Sequence, residues 1–168
     1  VGYMLTFSIL VIFAQDRLGV SPAGYGVILS VSALGGLIGS FTIARVRLRI
    51  GYRWTIVASL TLGAAALLGL ATTTNTVVAS ACLVVYIFHA VVWGICSVSL
   101  RQRLVPEPLR GRVNATAQVL GLLGLAVGSF AGGLLAVIDI ALPVAVGGGI
   151  FLACALVALI LLRDAEAG

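Results

Sequence analysis

The arginines of this chain fall on alternate breaks between long apolar stretches. Eight of the ten lie in two such breaks, and Arg163 follows the last apolar stretch. The eight are Arg45, Arg47, Arg49, Arg53, Arg101, Arg103, Arg110 and Arg112. The intervening breaks carry few charges, and residues 72–75 carry none. Because arginine and lysine accumulate in short cytoplasmic loops, this alternation predicts a chain that crosses a membrane repeatedly, with the arginine-rich breaks and the C-terminus in the cytoplasm.

The composition excludes an ordinary soluble domain. Hydrophobic residues make up 61% of the chain and charged residues 9%, whereas a soluble domain carries about 25% charged residues. The net charge of +5 follows from the arginines of the loops, so it does not indicate binding to nucleic acid. Every basic residue is arginine, which is typical of a GC-rich bacterial genome. We therefore expect a multi-pass protein of the bacterial inner (plasma) membrane.

Six apolar stretches have lengths near that of a membrane span, about 20 residues. They comprise residues 1–14, 25–44, 54–71, 77–100, 113–137 and 141–162. The stretches are too long and too evenly apolar for the strands of a β-barrel, and the polar backbone groups of a helix are satisfied within the span. The sequence therefore predicts an all-α membrane protein with six transmembrane helices. Because Val1 lies inside an apolar stretch, we expect the first span to be truncated and the chain to be the C-terminal part of a longer protein.

Small residues recur at every fourth position in two of the predicted spans. The positions are Ser32, Gly36 and Ser40 in the second span and Gly124, Gly128 and Gly132 in the fifth. Gly35 and Gly39 lie alongside the first of these stripes. A face of small residues lets two helix backbones approach closely. The stripes predict helix contacts, and the sequence leaves open whether these contacts are static or form and release during gating.

The fourth span carries the only histidine of the chain. Tyr86, His89 and Trp93 are spaced three and four residues apart, so they share one face of a helix. An ionisable residue at bilayer depth usually faces a cavity or a partner, and aromatic rings stack on flat or cationic molecules. The three residues are therefore candidates for the wall of a substrate cavity. A neutral histidine that is hydrogen-bonded inside the helix bundle is the alternative.

The sequence carries none of the patterns that indicate catalysis or metal binding. It has no zinc-protease motif, no nucleophile elbow and no lysine for a phosphate-binding loop. Cys82, Cys96 and Cys154 lie singly in separate apolar stretches. We therefore expect no enzymatic activity, no metal and no cofactor. Asp139 is predicted as a turn residue, and because no carboxylate lies inside a span, proton coupling would need His89 or another part of the protein.

Residues 101–113 read RQRLVPEPLRGRV. This sequence resembles the loop between the tenth and eleventh helices of the major facilitator superfamily, as it occurs in bacterial drug, macrolide and siderophore exporters. The loop motif ends with Arg110, Gly111 and Arg112. The order of six spans with two basic inner loops is also similar to one six-helix half of that fold.

Two further segments resemble motifs of the same superfamily. Arg49, Gly51 and Arg53 match the C-terminal copy of its Asp-Arg-x-Gly-Arg-Arg loop, in which Leu48 takes the acidic position. The glycines of the fifth span are similar to the antiporter motif, with Ser129 in place of its proline. Together these matches favour the C-terminal half of the fold.

The resemblance implies a transporter in which two six-helix halves rock about a site near the middle of the bilayer. It also implies that the first, second, fourth and fifth helices of this chain line the cavity or meet the other half. We therefore expect a secondary active transporter that works by alternating access and exports amphipathic organic molecules. Its expected partners are the lipid bilayer, an N-terminal six-helix half and a small-molecule substrate, and the role of protons stays open. The alternatives are a facilitator-type importer of a nutrient and a six-helix structural membrane protein without transport activity.

Overall fold

The computed structural model describes residues 1–162, which are helical over nearly their whole length. The helices are α1 (Gly2–Phe7), α2 (Leu10–Asp16), α3 (Pro22–Thr72), α4 (Thr76–Leu104), α5 (Arg110–Ile138) and α6 (Leu142–Leu161), with a short 3₁₀ helix at Glu107–Leu109 between α4 and α5. No strand occurs in this described part of the chain. Arg163 and the C-terminal tail, which were used to predict a cytoplasmic C-terminus, lie outside the described residues.

Four helices of the described range are long and apolar enough to cross a membrane. They are α3, α4, α5 with the turn that precedes it, and α6. The segment Gly2–Asp16, which contains α1 and α2, is a shorter apolar helix. The prediction of an all-α membrane protein is therefore confirmed.

The longest helix, α3, folds back on itself and forms two membrane-spanning arms. It contains 51 residues, about 75 Å of straight helix, which is far more than the roughly 30 Å of a single crossing. Its helical geometry is interrupted at Gly51, where φ is 75°, a conformation that glycine adopts without steric cost. Ile43 and Ile56, on opposite sides of this bend, belong to the same core cluster. We call residues 22–50 the first arm and residues 52–72 the second arm.

The first predicted span differs from the structure because its helix is interrupted. Residues 1–14 were predicted as one span, whereas α1 ends at Phe7 and α2 begins at Leu10. At the junction the Ile9 amide donates to the carbonyl of Thr6 at 3.3 Å, three residues back instead of four. This tighter turn separates the two short helices.

Side-chain caps fix where two of the long helices begin. Ser21 Oγ accepts a hydrogen bond from the Gly24 amide at 3.2 Å at the start of α3. Asn75 Oδ1 accepts from the amides of Val77 and Val78 at the start of α4. Such caps satisfy amide groups that have no partner within the helix. Asp139 Oδ1 accepts from the Ala141 amide at 2.7 Å between α5 and α6, so its prediction as a turn residue is confirmed.

The helices divide into a densely packed group and one helix at its side. Both arms of α3 pack against α4, and α3 also packs against α6. Helix α1 lies between α5 and α6, and α5 has only a small contact with α6 itself. Gly128 and Gly132 are the buried residues of α5. The group formed by α3, α4 and α6 therefore holds most of the core, and α5 is joined to it mainly through α1.

Candidate functional site

Tyr86 and His89 lie in the interior of the bundle, where they join a group of aromatic rings. Their side chains are 1% and 2% exposed. The His89 ring lies 4.8 Å from the Phe151 ring of α6, between centroids. Tyr86 stacks on Tyr3 at 5.7 Å, and its hydroxyl donates to the Tyr3 backbone carbonyl at 3.3 Å. This ring group therefore connects α4 with α1 and α6.

Gly63 of the second arm makes room for the histidine ring. A Cβ atom at this position would lie 2.5 Å from His89 Cδ2, closer than real side chains approach. The Ser59 backbone forms a hydrogen bond with the imidazole, while His89 Nδ1 is buried and has no hydrogen-bond partner among residues 1–162. The histidine thus faces the second arm and α6, which are not among the helices that the superfamily resemblance expects to line the cavity or meet the other half.

Trp93 lies in a different environment from the other two candidates for the cavity wall. It is 45% exposed, and it lies seven residues beyond Tyr86, about two helical turns. The ring group formed with Tyr3 and Phe151 does not extend to that level of α4. The structure therefore brings Tyr86 and His89 together inside the bundle and leaves Trp93 outside their contact, on the surface of α4.

The glycine stripe of α5 lies directly against the backbone of α1. A Cβ atom at Gly128 would be 2.5 Å from the Val1 carbonyl oxygen, and one at Gly132 would be 2.6 Å from the Leu5 carbonyl oxygen. At Gly124 the same atom would lie 3.3 Å from the Val1 nitrogen. Any larger residue at Gly128 or Gly132 would have to displace one helix from the other, because the neighbouring atoms belong to the backbone.

In the first arm Ser32 of the predicted stripe is buried, but the closest contacts come from the glycines beside Gly36 and Ser40. Gly35 and Gly39 contact α4 most closely: a Cβ at Gly35 would overlap the Val84 carbonyl oxygen, and one at Gly39 would lie 3.2 Å from the Phe88 carbonyl oxygen. A Cβ at Gly36 would lie 3.3 Å from the nearest atom, which is at the end of the Ile87 side chain of α4. Ser40 is exposed, and its hydroxyl donates to the Leu37 carbonyl of its own helix.

Of the four arginines near the bend of α3, two form hydrogen bonds with other residues and two are exposed to the surroundings. Arg53 Nη2 donates to the Leu159 carbonyl of α6 at 2.8 Å, and Arg47 donates to the Tyr52 hydroxyl. These contacts join the bend to α6 and to the first arm. Arg45 and Arg49 are exposed and make no hydrogen bond or ion pair with residues 1–162.

The second arginine loop makes fewer contacts with the rest of the protein. Arg110 Nε donates to the Val105 carbonyl at 3.2 Å, within the loop. Gly111 has open space around its α-carbon, and Arg112 is exposed. This loop therefore presents its arginines to the surroundings rather than to another helix.

The chain thus combines two basic loops with a bundle of apolar helices that make close contacts at glycines. The family model of the Major Facilitator Superfamily matches residues 1–168. The chain belongs to this superfamily. No curated protein and no solved structure matches the chain.

Membership of the major facilitator superfamily defines the general class of function. Its members are membrane transporters and, in general, not enzymes. The chain is therefore a multi-pass membrane protein whose partners include the lipid bilayer and a small-molecule substrate. Within residues 1–162, no group of three or more histidine, cysteine or acidic residues could hold a metal ion.

Sequence reasoning missed three glycines on which helix packing depends. Gly63 and Gly69 are the two glycines of the second arm, and their spacing of six residues is not the four-residue repeat that draws attention to a helix contact. Gly147 and Gly148 of α6 are buried against Thr6 and Leu68. The run of glycines at 147–149 was a visible signal for that contact, whereas nothing near Gly63 indicated that a histidine ring would lie against it.

Proposed function

We propose that this chain is one six-helix half of a secondary active transporter, which works by alternating access and exports amphipathic organic molecules. The superfamily match over residues 1–168 carries the transporter part of this proposal. The resemblance of residues 101–113 to a loop of bacterial exporters favours export. We further propose the bacterial inner membrane as its location, with the two arginine-rich loops and the C-terminus in the cytoplasm.

The open surface of α5 supports a second six-helix half as partner. No residue of this helix between positions 110 and 127 is buried. Its glycines contact another helix only between positions 124 and 132. Within lipid there is no hydrophobic driving force for apolar side chains to associate, so helix association in membranes depends on close packing. A partner half that covers this surface would supply such packing, and it would form the interface across which the two halves of a transporter move.

The polar side chains on the open faces favour an amphipathic substrate over a sugar or an anion. Each of four exposed or half-buried hydroxyl groups donates to a backbone carbonyl of its own helix, at 2.8 to 3.0 Å. These groups belong to Ser30, Ser40, Ser97 and Thr116. A polar nutrient needs several precisely placed donors and acceptors, whereas these hydroxyls, whose hydrogens are already engaged, can only accept hydrogen bonds. Trp93 instead offers an exposed aromatic face to apolar or cationic groups.

Transport assays with intact cells test the substrate class and the direction together. We expect cells that express the complete gene to accumulate less of a fluorescent amphipathic cation than cells with an empty vector, and a protonophore to remove the difference. Uptake of a labelled sugar should not change. Sugar uptake above the control would indicate the importer instead, and no change for any compound in a broad panel would indicate a structural protein.

The orientation is tested separately by cysteine labelling with a membrane-impermeant maleimide. Thr74 lies in the uncharged turn between the second arm and α4, and Glu107 lies in an arginine-rich loop. We expect Thr74→Cys to label in intact cells and Glu107→Cys to label only after the membrane is opened. The unmodified chain, with its three native cysteines, gives the background. Labelling of Glu107→Cys from outside would reverse the proposed topology.

A further inference from the structure

An apolar cleft opens on the side of the bundle, between the two arms of α3 and α4. Its volume is 230 Å³, and its walls include Thr42, Val46, Thr55, Ala58, Ser59 and Phe88. An apolar cavity of about 150 Å³ holds benzene, whereas pockets for drug-sized ligands measure about 300–1,000 Å³. The cleft therefore fits a length of hydrocarbon chain better than a whole drug-sized molecule.

The polar atoms in the wall of the cleft are already satisfied by the protein. The hydroxyl groups of Thr42, Thr55 and Ser59 each donate to a backbone carbonyl of their own helix, at 2.6, 2.6 and 2.9 Å. No hydroxyl hydrogen therefore remains for a polar ligand. A hydrocarbon chain leaves these bonds intact and can fill the cleft by close packing, the kind of contact on which association within a membrane depends.

One end of the cleft reaches the level of the bend, where a positive charge has no partner among residues 1–162. Thr42, Val46 and Arg49 are spaced four and three residues apart, so they share a face of the first arm. Arg49 thus lies about one turn beyond the wall residue Val46, and its guanidinium is exposed. On the second arm Trp54 lies one turn before Ala58 and is 49% exposed, as expected for a tryptophan at the membrane interface.

We propose that this cleft binds one acyl chain of an anionic phospholipid, whose phosphate contacts Arg49. Basic side chains beside a pocket between membrane helices bind anionic head groups. Arg45, also exposed, adds to the positive charge at this end. A zwitterionic lipid offers the same chains and phosphate but carries its own compensating cation, so the charge complementarity favours the anionic lipid. The bound acyl chain would contact residues of both arms and so hold the arms together near the bend.

Native mass spectrometry of the full chain in detergent measures this binding without any transport assay. The protein is incubated with equal amounts of dioleoyl phosphatidylglycerol and dioleoyl phosphatidylcholine, whose adducts differ in mass. We expect phosphatidylglycerol to predominate in the first adduct. Arg49→Gln should weaken its binding about five-fold, the factor that corresponds to the roughly 1 kcal/mol of one arginine near an anionic surface. Arg112→Gln, which removes the same charge from the other loop, should leave the first adduct unchanged.

A second variant separates binding in the cleft from attraction to the loop alone. Ala58→Leu places a larger side chain in the wall, and it should lower the adducts of both lipids while helical content, measured by circular dichroism, stays at the wild-type level. A photoreactive amino acid at Leu62, another wall residue, should crosslink to phosphatidylglycerol in the otherwise unaltered chain. Equal binding of the two lipids, preference retained by Arg49→Gln, or absence of the crosslink would each overturn the proposal.

Discussion

Helices α4 and α5 have the same length but differ greatly in how the protein surrounds them. Each contains 29 residues, and each is apolar enough to cross a membrane. Helix α4 buries residues along its length, whereas α5 buries only two glycines. Because lipid is as apolar as a protein interior, an apolar side chain is stable in either place. Apolar composition therefore places a helix in the membrane without deciding which of its faces contacts protein.

The two helices are also held by different kinds of contact. Helix α4 is packed between the arms of α3 by side chains and by the glycines at 35, 39 and 63. Helix α5 approaches α1 closely at Gly128 and Gly132 and has little else on its surface. Elements with few buried contacts open or shift at lower free-energy cost than elements of the core. This difference predicts that substitutions in the α3–α4 contact affect folding and that those in the α1–α5 contact affect transport.

The largest effect is expected from Gly35→Leu, in the contact between the first arm and α4. The new side chain would meet the backbone of α4 at Val84, which cannot move without moving the helix. We expect a loss of about 3 kcal/mol in the free energy of unfolding, at the upper end of the usual cost of overpacking, measured by denaturation in detergent. Gly26→Leu is the matched control, because no atom lies near the Cβ position of Gly26. Equal stability of the two variants would show that the arm and α4 do not approach in this way.

His89→Ala tests a buried side chain of the same α3–α4 group. Removing the ring leaves a void between Gly63 and Phe151 and also removes the buried Nδ1, which has no hydrogen-bond partner in the described part of the chain. These effects oppose each other, and we expect a net loss of about 2 kcal/mol in the free energy of unfolding. The pH dependence of transport should persist. Loss of pH-driven transport, with exchange of substrate down its gradient retained, would instead identify His89 as the carrier of the coupling proton.

The sequence predicted the class of fold from features that do not depend on tertiary packing. Length, apolar composition and arginine placement identified the membrane helices, and the predicted break between residues 44 and 54 contains the bend at Gly51. The sequence did not predict that helix would continue through Arg45 and Arg49 up to this glycine. Arginine-rich residues read as a polar loop, yet arginine has a high helix propensity, and the helix extends to the bend.

The candidate site was less predictable, because the spacing of residues defines a helix face but not its neighbour. The spacing of Tyr86 and His89 correctly placed them near each other, but the second arm and α6 cover them from positions distant in sequence. The two glycine stripes show the same limit. The four-residue repeat identified Gly128 and Gly132, which are buried, whereas in the first arm Gly35 and Gly39 are buried rather than Gly36 and Ser40.

Gly128→Leu tests the contact between α5 and α1, where we expect a moderate cost to stability and a large loss of transport. The leucine would force α5 away from the Val1 carbonyl, at an overpacking cost of about 1–2 kcal/mol. The α3–α4–α6 group does not include this contact, so the protein should still insert and remain folded in detergent. Gly121→Leu, on the same helix with open space around it, is the control for added bulk. Export at the wild-type rate by Gly128→Leu would refute a moving contact at this position.

The smallest effect on stability is expected at Trp93, the exposed member of the three aromatic candidates on α4. Because its ring is outside the Tyr86–His89 contact, Trp93→Ala should leave the free energy of unfolding nearly unchanged. If the ring contacts substrate, its loss removes about 0.5–2 kcal/mol of stacking or cation–π interaction, so the half-saturating substrate concentration should rise several-fold at an unchanged maximal rate. Trp93→Phe keeps an aromatic face and should restore most of the affinity. Transport kinetics over several substrates, measured at matched membrane abundance, distinguish this result from a general defect. Unchanged kinetics in Trp93→Ala would make this surface of α4 a lipid contact and would transfer substrate binding to other parts of the transporter.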